Sequence, residues 1–191
     1  MLRHPIATLA ACAVLLLATS PLRAQAPSSP PASPVVVSTP PAAPADVASI
    51  DAIITALYDV ISGPAGKARD WNRMRSLFVP GGRLMPTGAR SAGAVAMRIM
   101  EPNDYIATSG PMLERRGFRE RELARRTEQF GNIAHVFSTY DGRFEGDSTG
   151  VRGINSIQLL YDGTRWWVVS VYWQAESAAV PLPARYLQSS P

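Results

Sequence analysis

Apolar residues at Val47, Ile50, Ile54, Leu57 and Ile61 recur at steps of three and four, which lays one apolar stripe along a helix. Asp46 is the expected N-cap, and Ser62-Gly63-Pro64 the expected end. Asp70 predicts the cap of a second helix, from Trp71 to about Val79, with Trp71, Met74, Leu77 and Phe78 turned inward and Pro80-Gly81-Gly82 stopping it. "RLMP" at 83–86 reads as a short strand. A third helix starts near Asn103, and Gly110-Pro111 must kink or interrupt it. Residues 119–130 stay open: their Glu/Arg spacing suits a helix, and their alternation is weak. Ile133–Phe144 alternates as a strand. "GINSIQLLYDGTRWWVVSVYWQ" at 153–174 is the clearest local signal, two alternating apolar runs about a two-residue Asp162-Gly163 turn.

That turn predicts a register. Directly opposed residues share a face. One face then carries Leu159 with Trp166, Ile157 with Val168, Asn155 with Ser170 and Gly153 with Tyr172. It is apolar near the turn and polar at the far end, as the wall of a pocket would be. The other face carries Trp167, Trp173, Arg152 and Arg165 among mixed residues. So much aromatic area on an outer face implies a partner subunit or a covering tail.

The N-terminus changes the picture of where the protein works. Arg3 precedes an apolar run from Ile6 to Ala18, shorter than the ~20 residues of a membrane span and of the length of an export signal. Cleavage is expected after Ala24. "LAAC" at 9–12 resembles a lipobox, but the apolar run continues past Cys12, so the ordinary removed signal is favoured over lipidation. Residues 25–45 hold seven prolines among alanine and serine, a tether rather than a fold. The expected organisation is therefore a signal peptide at 1–24, a Pro/Ala-rich linker at 25–45, one domain at 46–176 and a tail at 177–191, in a periplasmic or secreted protein.

Losing the signal removes Cys12, the sole cysteine, and with it any disulfide or thiolate chemistry. The formal charge of +4 includes Arg3 and Arg23, and without them 17 basic residues face 15 acidic ones. That balance gives no footprint for nucleic acid. The densest basic stretch, 114–126, alternates arginine with glutamate and reads as a solvated, ion-paired face. One remaining histidine without cysteine makes no zinc set, and neither metal nor cofactor is expected.

The order of pieces resembles the nuclear transport factor 2-like superfamily, the SnoaL-like cone, over about residues 46–174. "DWNRMRSLF" at 70–78, "SLFVPGGRL" at 76–84 and the closing hairpin carry the resemblance. It implies an α+β fold, a cone-shaped, strongly curved antiparallel sheet wrapped around three helices of the N-terminal half. It also implies strand for 119–130, an internal cavity, and homodimers through the outer sheet face. Ketosteroid isomerase within this superfamily has a tyrosine on its first helix, which Tyr58 matches. Its catalytic aspartate falls here at about Met85, which cannot take a proton.

The candidate site residues follow. His135 is the only imidazole after export and the candidate general base, with Tyr58 or Tyr172 as donor. Asp104 and Asp59 are its possible carboxylate partners. Its strand offers two sets, one holding Ile133, His135, Phe137 and Thr139, the other Ala134, Val136, Ser138 and Tyr140, and either suits the inside. Tyr58, Trp71, Tyr105, Asn155, Ser170 and Tyr172 are the candidate ligand-binding residues. The leading expectation is a domain that binds a small apolar or aromatic molecule. The alternatives are an enzyme of the isomerase, dehydratase or cyclase kind, and a structural or adaptor dimer whose cone is filled.

Overall fold

The apolar stripe forms as helix α2 (Ile50–Ile61), whose Ile53, Ile54, Leu57 and Tyr58 are buried in the core. Each such aliphatic side chain contributes ~1.5–3 kcal/mol on burial. The cap is Ser49, whose Oγ accepts from the Ala52 amide at 3.1 Å. Asp46 instead lies in a preceding single turn, α1 (Pro44–Val47), and pairs with Arg73 at 2.8 Å. The stripe divides there because Ser49 leaves the helical path at φ −148°, ψ 168°. At the other end of α2 the buried guanidinium of Arg69 donates to the carbonyls of Ile61, Gly63, Pro64, Lys67 and Leu113. One side chain thus ties the carbonyl end of α2 and its loop to the helix that carries Leu113.

Helix α3 (Trp71–Leu77) is capped by Asp70, which accepts from the Arg73 amide at 2.9 Å. Strand β1 (Phe78–Ala89) starts at once, so "RLMP" is the middle of a longer strand. After β2 (Val95–Met97) comes α4 (Pro102–Arg116), opened by a reciprocal capping box between Glu101 and Asp104. The helix is not interrupted at Gly110-Pro111. Gly110 lets it close on Trp71, whose ring would stand 3.1 Å from a Cβ at that position, and Trp71 Nε1 donates to Glu114 at 2.9 Å. Residues 119–130 form most of β3 (Phe118–Phe130), as the resemblance implied. Strands β4 (Ile133–Phe144), β5 (Val151–Tyr161) and β6 (Trp166–Ala175) complete the sheet.

The computed structural model describes residues 39–89 and 93–188; the expected signal at 1–24 and residues 25–38 of the expected tether lie outside them. The six strands stand in the order β2-β1-β6-β5-β4-β3. All neighbours are antiparallel except β1 and β6, which run parallel, so the sheet is mixed where an antiparallel one was expected. The fold is α+β, and the sheet is not closed into a barrel.

The hairpin register differs from the expected one in two steps. The turn is centred on Gly163-Thr164, so Tyr161 faces Trp166 rather than Thr164. Asp162 causes this: its Oδ1 accepts from the amides of Thr164 and Arg165 at 2.8 and 2.9 Å, and its Oδ2 from Trp167 Nε1 at 2.6 Å. These bonds hold its carboxyl well below the usual carboxylate range. This two-residue shift leaves the faces unchanged. The second step is a bulge at Val169, because Leu159 faces Val168 while Gln158 faces Ser170. Beyond it β6 is turned over. Val171 and Trp173 go inside, and Ser170 and Tyr172 go outside.

The tail lies on the outer face. Thr139 Oγ1 donates to the Tyr186 carbonyl, the Phe137 and Tyr186 rings stand 5.0 Å apart, and Arg126 donates to the Arg185 carbonyl at 2.9 Å.

Inside, Gly153 faces Tyr140, and a Cβ there would lie 2.3 Å from the Gln174 carbonyl oxygen and 2.5 Å from the Tyr140 hydroxyl. Gly153→Ala is therefore expected to lower stability by ~1–3 kcal/mol, the usual penalty of overpacking. Gly88→Ala, with open space around it, should stay within ~0.5 kcal/mol of the parent. Urea midpoints of the two variants check this; equal midpoints would contradict it.

Candidate functional site

The concave side of the sheet, α2 and α4 enclose a cavity of about 280 Å³. The cone is not filled by its own side chains. Leu57 and Tyr58 come from α2, Tyr105 and Leu113 from α4, Asn155 from β5 and Trp173 from β6. Met112 and Val151, 41% and 55% exposed, mark its mouth. The wall is largely hydrocarbon and ring, with one carboxylate, Glu120 on β3.

Glu120 enters because of local strand geometry. In "FRERE", 118–122, the period of two puts Phe118, Glu120 and Glu122 on the inner side and Arg119 and Arg121 on the other. Glu120 faces Gly142 across the sheet, and a Cβ on Gly142 would come within 3.1 Å of a Glu120 carboxylate oxygen. The glycine leaves the carboxylate its room. Burial in the wall pushes the Glu120 carboxyl up to about 7, hydrogen bonding with Asn155 pulls the other way, and the charge of Asp141 adds to the rise. The carboxyl is thus poised to change charge near neutrality.

Beside it runs a directed hydrogen-bond chain. Ser138 Oγ donates to Glu122, which fixes the only Ser138 proton. Tyr58 must then donate to Ser138, at 2.6 Å, and Asn155 Nδ2 donates to the Tyr58 oxygen at 3.0 Å. Burial pushes the Tyr58 hydroxyl far up, so it stays a neutral donor. Burial raises Tyr105 and Tyr140 in the same way, and the Glu120 charge adds to both. Glu122 is held by Arg125 at 2.5 Å, so its charge is already paired.

The candidate residues separate. Tyr58, Tyr105 and Asn155 come together in the cavity wall. Trp71 packs between α3 and α4 and does not line it. Ser170 and Tyr172 face outward, a correction that the Val169 bulge explains. His135 also lies on the outer face: Ala134, Val136, Ser138 and Tyr140 are the buried set, and His135 Nε2 stands 2.9 Å from Ser156 Oγ, with Phe137 at its edge. It reaches neither the cavity nor a suggested carboxylate partner. Asp59 pairs with Arg73, and Asp104 caps α4. The inward residue at the start of the isomerase-like strand is Leu84, so no carboxylate enters from β1. Among the described residues no three His, Cys, Asp or Glu side chains are grouped to hold a metal, and no helix is long and apolar enough to cross a membrane.

Glu120 was not among the sequence candidates. The signal for it was present in "FRERE", where acids and arginines segregate by alternation once the segment is taken as strand.

The raised Glu120 carboxyl makes stability depend on pH. Its folded value is about 7 against an ordinary 4.5, so the folded state holds the proton more tightly. The stabilising effect is complete below about pH 4.5 and is lost as pH rises through about 7, by at most ~3 kcal/mol. Glu120→Gln should remove this fall and be the more stable form at pH 8. Urea unfolding of both forms between pH 5 and 8 tests it, and parallel curves would contradict it.

No protein-family model and no curated protein sequence matches the chain. Solved structures do. A protein of unknown function with a cystatin-like fold from Nostoc punctiforme is 12% identical, over 68% of this chain and 90% of that one, with a TM-score of 0.50. A protein from Kribbella flavida is 10% identical over the same shares, with a TM-score of 0.50. A nuclear transport factor 2-like protein of unknown function from Methylobacillus flagellatus is 15% identical over 68% of this chain and 95% of that one, with a TM-score of 0.43. At such identities the likeness is one of fold and carries no activity with it. With its helices held in the hollow of a six-stranded sheet, the chain has an α+β fold similar to the cystatin-like fold of the Nostoc protein.

Proposed function

We propose that this is an exported domain that binds a small apolar or aromatic molecule in the cone cavity. The observation that carries the reading is the cavity itself: about 280 Å³ of apolar and aromatic wall with a few convergent polar groups, Glu120, Asn155 and Tyr58, at one side. Its size suits one or two fused rings. Export to the periplasm or beyond rests on the N-terminal signal and the proline-rich tether. A homodimer through the outer face is part of the proposal, supported by the exposure of Val169 and Tyr172 there.

A second reading is favoured by one observation. A carboxyl that titrates at about 7 beside a bound ring is placed to take or give a proton. In that reading Glu120, not His135, is the acid–base residue, and the sign of it is exchange of a bound ketone's α-protons with solvent.

The binding reading is tested with 2-naphthol, followed through its own fluorescence and that of the tryptophans. Saturable one-to-one binding is expected. Leu57→Trp, which fills the cavity, should abolish it while the thermal unfolding transition stays cooperative. Absence of saturation in the parent, or equal binding by the filled variant, would overturn the reading.

A further inference from the structure

We propose that the cavity's ligand is an organic ammonium, a cation on a small apolar or aromatic body. This rests on the reading of the cavity as a ligand site and names the class it takes. Six of the eighteen residues that line the cavity are aromatic: Tyr58, Tyr105, Phe118, Tyr140, Phe144 and Trp173. Glu120 is the only charged side chain among those eighteen, and none is Lys, Arg or His. A ring of π-faces about a single carboxylate attracts a cation twice over, through the ring quadrupoles and through the opposite charge. It offers an anionic ligand no partner.

Two arrangements bear on the choice. The first is the space that Gly142 leaves to the Phe118 ring and the Glu120 carboxylate together, since a Cβ there would stand 2.8 Å from the ring and 3.1 Å from a carboxylate oxygen, so that ring and charge lie side by side in the wall. The second is that, of the polar neighbours of Glu120, the hydroxyls are committed elsewhere and Asn155 is shared. Tyr58 donates to Ser138, and Ser138 to Glu122. Asn155 donates to Tyr58 and also hydrogen-bonds Glu120, without bringing it a charge. One lining ring already holds a cation, from a residue that does not line the cavity: the Arg116 guanidinium carbon lies 4.3 Å from the Phe144 centroid, with its charge paired to Asp147 at 2.7 Å.

The groups that face Glu120 decide how binding varies with pH. They are Tyr58 from α2, Tyr105 from α4, Glu122 on its own strand, Tyr140 and Asp141 from β4, and the neutral Asn155 from β5. Arg119, Arg121 and Arg143 line a neighbouring depression that Glu120 and Glu122 also border. Of the groups inside, the tyrosines remain neutral to high pH, and Glu122 is paired with Arg125. Glu120 is left as the group that changes charge near neutrality, so a permanent cation should bind more tightly as pH rises and should release a proton as it binds.

The test is a charge series on one skeleton, titrated calorimetrically into the purified chain. The probes are benzyltrimethylammonium, its neutral isostere neopentylbenzene, and phenylacetate. At pH 8 the cation is expected to bind about tenfold more tightly than the neutral isostere, and the anion not at all. That preference should shrink several-fold at pH 6. Glu120→Gln should erase it and leave the neutral probe within about twofold of the parent. The parent series decides the matter even if Glu120→Gln does not fold. A neutral probe that binds as tightly as the cation overturns the ammonium proposal and leaves the cavity reading standing. If neither binds, both fall.

Discussion

The sheet has to bend around α2, and the residues that permit the bend decide what the cavity sees. A regular strand keeps one set of side chains on one face from end to end. Val169 in β6 and Leu123 in β3 are each one residue too many for their partner strands. At each of these points the strand turns over. In β6 this exchanges Ser170 and Tyr172 for Val171 and Trp173 on the concave side. In β3 it puts Glu120 and Glu122 inside on one side of the bulge, and Ala124 outside under the tail on the other. The inward turn of Trp173 and the place of the carboxylate follow from these two insertions.

The chemistry inside follows from how few polar groups were admitted and how they are tied. Tyr58, Ser138 and Asn155 are buried, and each has a partner. Among the described residues no buried side-chain nitrogen or oxygen lacks one. The protons of the chain run one way, from Asn155 through Tyr58 and Ser138 to Glu122, and Arg125 balances the charge at its end. Glu120 is tied to this chain through the neutral Asn155. Burial raises the carboxyl without an arginine to compensate, which is why it approaches a neutral form near pH 7. A ligand that brings a positive charge or a donated hydrogen bond supplies what the fold leaves out.

Much of the fold was legible in the sequence. Spacing placed α2 and α3, and Asp70 was read as a cap because a short polar side chain before an apolar run has few other uses there. Strand β4 followed from plain alternation. Two things were hidden. A bulge leaves no mark in a run such as "WWVVSVYW", where both faces offer apolar residues, so the register past Val169 could not be counted from the turn. And "FRERE" carries both a helix-like Glu/Arg spacing and a strand-like segregation of charge; only tertiary pairing with β4 selects the second. His135 drew notice as the lone imidazole, yet its neighbours on either side, Ala134 and Val136, are the ones that face in.

The account stands on Glu120 being a cavity carboxyl with a displaced titration. Carbon-13 spectra of the glutamate side-chain carboxyls, followed from pH 3 to 9 and assigned by loss of one signal in Glu120→Gln, measure it directly. This signal is expected to move with a midpoint near 7. A midpoint in the ordinary range near 4.5 would contradict the burial of Glu120 in the cavity wall and remove the acid–base reading and the pH dependence expected of stability and of cation binding.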